Sequence, residues 1–132
     1  MKNRYHSLLL DTDVLIDYLR GQKQAVSFLE NTDSHLMTSA INVAEIFAGV
    51  RDGEERKVLE KFIRIFEIIN TDHEIAEMGG IYRRDYGQSH GTGLADAIIA
   101  ASAKLKNARL VTLNARHFPM LPDIFIPYKK IS

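Results

Sequence analysis

The chain has 132 residues, and its 17 Lys and Arg balance its 17 Asp and Glu, so its formal net charge is zero. This length predicts one domain over residues 1–132, and the absence of cysteine excludes a disulfide scaffold, a thiolate zinc site and a cysteine nucleophile. Zero net charge also removes bulk attraction to nucleic acid, so polyanion binding would depend on a local patch or a metal ion.

The first apolar run consists of three leucines that end at Asp11. This run is too short for the core of a signal peptide or for a membrane span. We therefore expect a cytoplasmic protein that does not associate with membranes.

The predicted elements alternate between strands and helices along the chain. Strands are predicted at residues 7–11, 35–38, 66–69, 109–113 and 123–127. Six helices are predicted. The first runs from residue 14 to Gly21, where it stops, and the next three lie around residues 25–29 and at 41–50 and 54–64. The fifth runs from a capping box at Thr71 to about residue 86, and after a loop over 86–93 the sixth follows at 94–106. Hairpin signals such as Asn-Gly are missing. The pattern predicts an α/β fold with a mainly parallel sheet between helical layers.

Three carboxylates occupy positions that packing alone would not favour. Asp11 follows a buried strand, at the sheet edge where open α/β folds bind ligands. Glu45 is the only charge in an apolar helix that we expect to be buried, and Asp96 is the only charge between residues 94 and 103. Asp11 could cap a helix, and the dipole of a helix could stabilise Asp96 in its first turn. A purely structural role for all three carboxylates, however, would require three buried cationic partners, which these segments lack.

If the three carboxylates converge, their repulsion must be compensated. Two unit charges ~4 Å apart repel by about 4 kcal/mol at an effective dielectric constant near 20. Either a proton is shared or a divalent cation is bound, and oxygen ligands favour Mg²⁺ or Mn²⁺. Such an ion activates water and holds phosphate oxygens, which indicates hydrolysis of a phosphodiester or a phosphate ester.

Other polar residues lie beside these acids in the predicted fold. Asn114 follows a strand on the same edge as Asp11, although alone it is typical of a turn. Ser39 is a natural N-cap whose hydroxyl could also brace Asp11. The five histidines form no zinc pattern, and we interpret His90 and His117 as solvated loop residues.

Four motifs together resemble the PIN-domain ribonucleases, in particular the VapC-like toxins of type II toxin–antitoxin pairs. They are Asp11-Thr-Asp-Val-Leu-Ile-Asp17, Ser39-Ala-Ile-Asn-Val-Ala-Glu45, Asp96-Ala-Ile-Ile-Ala-Ala101 and Thr112-Leu-Asn-Ala-Arg-His-Phe118. Their order and their spacings of 34, 51 and 18 residues between the acidic positions and Asn114 also match, so the likeness extends over nearly the whole chain.

The resemblance implies a three-layer α/β/α fold, with one PIN-like domain around a parallel sheet of four or five strands. It also implies an endoribonuclease that depends on Mg²⁺, with Mn²⁺ as a possible substitute. By position, Asp11 and Asp96 would be the principal metal ligands and Glu45 would complete the cluster directly or through water. Asn114 stands where the family often has aspartate, and Ser39 and Thr112 would support the site.

The family pattern also implies partners, namely an RNA substrate, a cognate antitoxin and a second copy in a homodimer. Arg116 and His117 are the best placed residues for RNA, whereas Arg83, Arg84, Lys104 and Lys106 are more typical of a solvated helix face. VapC-like proteins receive an antitoxin segment in a hydrophobic groove. The stretch at Val58, Leu59, Phe62 and Ile65 could line it, but we interpret this stretch as a core stripe.

One residue of the first motif departs from the family pattern. Asp13 occupies a position where Asn or Ser is usual in the family. We interpret Asp13 as the start of a helix rather than as an additional ligand.

Two other functions fit parts of the sequence. Residues 8–15 also match the first motif of haloacid-dehalogenase-like phosphatases, in which Asp11 would be a phosphorylated nucleophile and Asp13 a general acid or base. That family's late paired-aspartate motif is missing, because Asn114 stands at the strand end and Asp96 lies on a helix. The second alternative is a PIN-like module that binds RNA or protein without cleavage.

Overall fold

The computed structural model describes residues 6–129, and its centre is a parallel four-stranded sheet. The strands are β1 (Ser7–Leu10), β2 (His35–Ser39), β3 (Glu67–Ile69) and β4 (Arg109–Val111), in the order β3-β2-β1-β4. In the register, Leu9 of β1 pairs with Met37 and with Leu110. All four carboxyl ends therefore meet at one edge of the sheet, as the alternation of strands and helices predicts.

Within the described residues, six helices cover the two faces of the sheet. They are α1 (Thr12–Leu19), α2 (Lys23–Asn31), α3 (Ala40–Ala48), α4 (Glu54–Ile63), α5 (His73–His90) and α6 (Leu94–Leu105), and a 3₁₀ turn follows at Ala115–His117. Leu9 joins one apolar core with Ile75 of α5 and Ile99 of α6. Leu8 and Leu10 point to the opposite face and join a second core. The three-layer α/β/α prediction is confirmed.

The predicted fifth strand at residues 123–127 is wrong as a strand. Only one parallel bridge forms there, between Val111 and Phe125. Its two backbone hydrogen bonds run from Phe125 N to the Leu110 carbonyl and from Thr112 N to the Phe125 carbonyl. Pro127 lacks the N–H group that would make the next hydrogen bond of this ladder, two residues after Phe125, so the pairing does not continue in that direction.

Helix α5 is longer than predicted and begins differently. Asp72, not Thr71, caps it by accepting a hydrogen bond from Ile75 N at 2.9 Å. The helix continues to His90, and Gly91, with φ of 65°, ends it in the left-handed conformation that favours glycine. The predicted loop over 86–93 is therefore only the three residues 91–93.

Only part of the apolar stripe that the sequence predicts along α4 is buried in the core. Leu59 and Phe62 are buried, whereas Val58 and Ile65 are 52% and 63% exposed. Ile65 lies beyond the last helical residue, so the periodicity does not apply to it. Val58 instead lines a groove that α4 forms with α1 and α3.

Helices α5 and α6 approach most closely at Gly79. A Cβ there would lie 2.9 Å from Cγ1 and 3.1 Å from Cα of Ile98. We expect Gly79→Ala to lower the free energy of unfolding by about 1–3 kcal/mol, because backbone must shift to accommodate the methyl group. Gly80→Ala is the matched control, because nothing lies within 4 Å of its added Cβ. It should raise stability by up to about 1 kcal/mol in urea unfolding. Equal effects of the two substitutions would contradict this packing account.

Candidate active site

Asp11 lies at the centre of the carboxyl edge of the sheet. It follows β1 directly, is 7% exposed and caps α1. Its Oδ1 accepts hydrogen bonds from Thr12 N at 2.8 Å and from Asn42 Nδ2 at 3.1 Å, and its Oδ2 accepts one from Thr112 Oγ1 at 2.8 Å. Two carboxylate oxygens offer about four lone pairs, so one on Oδ2 is not used by these bonds.

Burial among other acids raises the pKa of Asp11 from 3.8 to about 7. The largest cause is desolvation, followed by the charge of Asp13, and the charge of Asp96 adds to both. The hydrogen bonds from Thr112 and Thr12 act in the opposite direction, because they stabilise the ionised form. Among residues 6–129, no Lys or Arg forms an ion pair with Asp11, so no side-chain cation offsets its charge.

Asp13 lies in the first turn of α1, which begins one residue earlier at Thr12, and it also contacts the segment after β4. Its Oδ1 accepts a hydrogen bond from Val14 N at 2.7 Å, and its Oδ2 accepts one from Leu113 N at 3.0 Å. The same carboxylate therefore joins the first turn of α1 to the residues that come after β4. This contact brings a second negative charge close to Asp11.

Glu45 is exposed, and the prediction that it is buried is wrong. Helix α3 fully buries only Asn42 and Ile46; Ile41 and Phe47 are half-buried against the two apolar cores, and the side of the helix that carries Glu45 is exposed. The Glu45 carboxylate nevertheless reaches the site, because its Oε1 accepts a hydrogen bond from Thr12 Oγ1 at 2.7 Å. Glu45 is thus linked to Asp11 through the next residue of the chain, Thr12.

Asn42 is the supporting residue that the sequence analysis did not assign. Ser39 caps α3, and its Oγ donates to Asn42 Oδ1 at 2.8 Å. The Asn42 amide in turn donates to Asp11 and, at 2.9 Å, to Thr12 Oγ1. Ser39 therefore braces Asp11 through Asn42 rather than directly. The spacing of Ser39 and Asn42, which is that of a cap and its third helical residue, was the available signal.

Asp96 lies in the first turn of α6 and contacts His117. His117 Nδ1 is 3.2 Å from Asp96 Oδ2 and 2.9 Å from Asn114 Nδ2. A ring nitrogen either donates one hydrogen or accepts one, so a protonated Nδ1 bonds Asp96 and an unprotonated Nδ1 bonds the Asn114 amide. His117 is only 26% exposed, so the interpretation as a solvated loop residue is wrong.

Asn114 and Arg116 lie farther from Asp11 in this network of contacts. The Asn114 side chain is exposed and its hydrogen bond goes to His117, whereas its backbone N–H donates to Thr112 Oγ1 at 3.1 Å. Arg116 is exposed in the 3₁₀ turn. Thr92 Oγ1 donates to the His117 carbonyl at 2.8 Å and so fixes this turn against the loop between α5 and α6.

The carboxylates of this site meet some of the requirements for binding a hard cation such as Mg²⁺. In the described range 6–129, no group of three or more His, Asp or Glu side chains is arranged to hold a metal ion. Mg²⁺, however, commonly binds through one or two carboxylates and keeps several waters. Asp11 with its unused lone pair, and Asp96 close enough to raise its pKa, supply such a pair. A cation would also stabilise the ionised form of Asp11, which burial disfavours.

Comparison with known proteins places this arrangement in a family. The PIN-domain model matches residues 8–122. This chain belongs to the PIN-domain family. It is 38% identical to Ribonuclease VapC19 of Mycobacterium tuberculosis over 124 residues, which cover 91% of this chain and 98% of that protein. It is 36% identical to Ribonuclease VapC10 of the same organism, covering 92% of each chain.

The fold also matches a solved structure. A chain of a toxin–antitoxin complex from Klebsiella pneumoniae superposes with a TM-score of 0.81 and 30% identity, covering 93% of this PIN-domain chain and 99% of that chain. The resemblance predicted from the four motifs is therefore confirmed.

No helix within residues 6–129 is long and apolar enough to cross a membrane.

The raised pKa of Asp11 predicts a pH dependence of stability. Because the folded pKa of about 7 exceeds the ordinary value of 3.8, the folded protein binds the extra proton between these values. In EDTA, stability should therefore fall as pH rises from about 4 to 7, by on the order of 4 kcal/mol, and then stop falling. Asp11→Asn should remove most of this slope in thermal unfolding at several pH values. Asp33→Asn, at an exposed position, is the control and should retain the decrease of stability with pH. A decrease of wild-type size in Asp11→Asn would contradict the raised pKa of Asp11.

Proposed function

We propose that this PIN-domain protein is a Mg²⁺-dependent endoribonuclease and the toxin of a type II toxin–antitoxin pair. The observation that carries the proposal is Asp11, whose pKa is raised to about 7 by burial and, to a smaller degree, by the charges of Asp13 and Asp96, without a basic partner among the described residues. The homologues named Ribonuclease VapC support RNA as the substrate. Hydrolysis of its phosphodiester bonds is the chemistry that such a carboxylate site supports.

In the proposed site, Asp11 and Asp96 hold the metal and Glu45 contributes through water. Mn²⁺ has the same preference for oxygen ligands and could replace Mg²⁺. When bound, the ion would lower the pKa of a water molecule and neutralise charge on the phosphate. The exposure of Glu45 and its bond to Thr12 favour an indirect role over direct ligation.

The surrounding polar residues position these carboxylates. Thr112 and Asn42 fix the plane of the Asp11 carboxylate, and His117 holds Asp96 from the other side of the site. The side chain of Asn114 bonds His117 rather than an acid, and it does so only when Nδ1 is unprotonated, so Asn114 and Asp96 are alternative partners of this ring nitrogen. Arg116, which is exposed beside His117, is proposed to attract the RNA backbone, because the acidic site alone would repel it.

The proposed partner is a cognate antitoxin. The groove that α1, α3 and α4 form has a volume of about 700 Å³, and Leu19, Val58 and Glu45 are among its lining residues. Leu19 and Val58 expose 37% and 52% of their surface there. A structural relative was solved as a toxin–antitoxin complex, which supports an antitoxin segment in this groove. A homodimer, as expected from the family, is part of the same proposal.

Membership of the PIN family argues against the phosphatase alternative. Asp11 and Asp13 do come directly after β1, as the first phosphatase motif requires, but Asp13 uses both oxygens to bond backbone amides. A PIN-like module that binds RNA without cleaving it is the remaining alternative. The three functions differ in whether RNA is cleaved and in whether Asp11 becomes phosphorylated.

Purified protein should cleave single-stranded RNA in Mg²⁺, and EDTA should stop the reaction. Asp96→Asn should lower the rate at least about 100-fold, since it removes a proposed ligand, while circular dichroism and the melting temperature remain near wild type. Asp33→Asn is the matched control and should cleave normally.

Three results would contradict the proposal. They are full cleavage by Asp96→Asn, binding of RNA by wild type without cleavage, and a phosphoaspartate trapped on Asp11. The second result would favour the binding module, and the third the phosphatase.

A further inference from the structure

One side of α5 presents a stripe of four residues toward its C-terminal end. At 100° per residue, Arg83, Tyr86, Gly87 and His90 lie within about 100° of one another around the helix. The stripe lies on the same side of the helix as the buried Ile75 and Gly79, but Arg83 and His90 are exposed, so the helix is uncovered toward its C-terminal end. It was not part of the site built from the acidic motifs.

The Arg83 side chain lies over Gly87. A Cβ at position 87 would overlap Nη1 of Arg83 and lie 2.9 Å from its Cζ. Long side chains in helices usually point toward the N-terminus, but this guanidinium lies one turn toward the C-terminus. The missing side chain at Gly87 provides the space that allows this orientation.

The charge of Arg83 is not neutralised by an ion pair. Arg83 is exposed and has no acidic partner within 4 Å in the described part of the chain, whereas its neighbour Arg84 is bonded to Asp85 at 2.9 Å. The acids of α5, namely Glu74, Glu77 and Asp85, lie at least about 120° around the helix from Arg83. The stripe is therefore a locally positive surface on a chain without net charge.

The stripe leads to the candidate active site. Position 87 lies about 6 Å along the helix axis before Gly91, and a Cβ at Gly91 would be 3.9 Å from Nε2 of His117. His117 contacts Asp96 at 3.2 Å. The C-terminal end of α5 therefore abuts the proposed metal site, within the reach of a strand of a few nucleotides.

Aromatic rings accompany the guanidinium on this face. Tyr86 and His90 contact edge to face, with ring centroids 5.9 Å apart, and His90 is exposed. Ser89 Oγ lies 2.7 Å from His90 Nδ1 and fixes the ring. A cation next to exposed ring surface is the combination by which proteins bind the phosphates and bases of single-stranded nucleic acid.

We propose that this face of α5 binds the single-stranded RNA substrate beside the cleavage site. Arg83 contacts a backbone phosphate from its position over Gly87, and an adjacent base stacks on the exposed ring of His90, which Tyr86 supports edge to face. This proposal rests on the proposed ribonuclease function, and it adds the direction from which the substrate enters.

Gly87→Ala tests the position of the guanidinium without removing its charge. The added methyl group should displace the flexible end of Arg83 and leave the melting temperature unchanged or higher, because alanine favours helix. We expect KM for an RNA oligonucleotide in Mg²⁺, and its dissociation constant in EDTA, to rise about three- to tenfold. Gly80→Ala on the same helix has no neighbour within 4 Å of its added Cβ and should leave both constants at the wild-type value.

Arg83→Gln tests the charge itself, with Arg84→Gln as the control of equal net charge. Loss of one phosphate contact should reduce the slope of the logarithm of affinity against the logarithm of salt concentration by about 0.7. Arg84→Gln should leave the slope near wild type, because the charge of Arg84 is already paired with Asp85.

The outcomes separate this proposal from the proposed function. If wild type neither binds nor cleaves RNA, the proposed function fails and this inference fails with it. If wild type cleaves RNA while Gly87→Ala matches Gly80→Ala, or if the two arginine variants are equally impaired, only the binding face is wrong. A change of oligomeric state in Arg83→Gln, with RNA affinity unaltered, would instead assign this face to a second copy of the chain.

Discussion

The burial of one carboxylate at the end of the central strand governs the rest of this site. Leu8 to Leu10 place β1 in the middle of the sheet, so the next residue, Asp11, is enclosed by the segments that leave the neighbouring strands. Thr112 comes from the end of β4, and Asn42 comes from the helix after β2. Ionising a group at such a depth costs free energy that these hydrogen bonds only partly offset. The elements around the sheet edge therefore converge on Asp11.

The free-energy cost of ionising Asp11 links the stability of the protein to its proposed function. The nearby charges of Asp13 and Asp96 increase it further, and a structure selected only for stability would have no reason to retain them. A divalent cation reverses the balance, because the same charges that destabilise the ionised metal-free site then attract the ion. Under the proposed function, the acidic site also requires positive charge elsewhere to admit RNA, and the exposed Arg116 and Arg83 would provide it on a chain of zero net charge. The carboxylates that lower the stability of the metal-free protein are thus the same ones that are proposed to attract the metal ion.

Local sequence patterns predicted the strands and most helices, because their apolar periodicity depends on near neighbours. They failed where the outcome depends on distant contacts. Glu45 was expected to be buried because its helix is apolar, but α3 packs against the cores through other residues, such as Ile41 and Ile46, and Glu45 lines a groove at the surface. Asp11 was predicted from its position at a strand end, and Glu45 and Asp96 were predicted as the only charges in apolar helical segments. The bonds of Thr112 and His117 to these acids were not, since they join residues 101 and 21 positions apart.

The central claim, that Asp11 is fully ionised at neutral pH only when a cation is bound, can be measured directly. The carboxyl ¹³C resonance of Asp11 should be titrated by NMR, first in EDTA and then with saturating Mg²⁺, and identified by its absence in Asp11→Asn. The account predicts a pKa of about 7 without metal. With Mg²⁺ the pKa should fall well below that value, because the ion stabilises the carboxylate. A pKa near 4 in EDTA, or one that Mg²⁺ leaves unchanged, would contradict it.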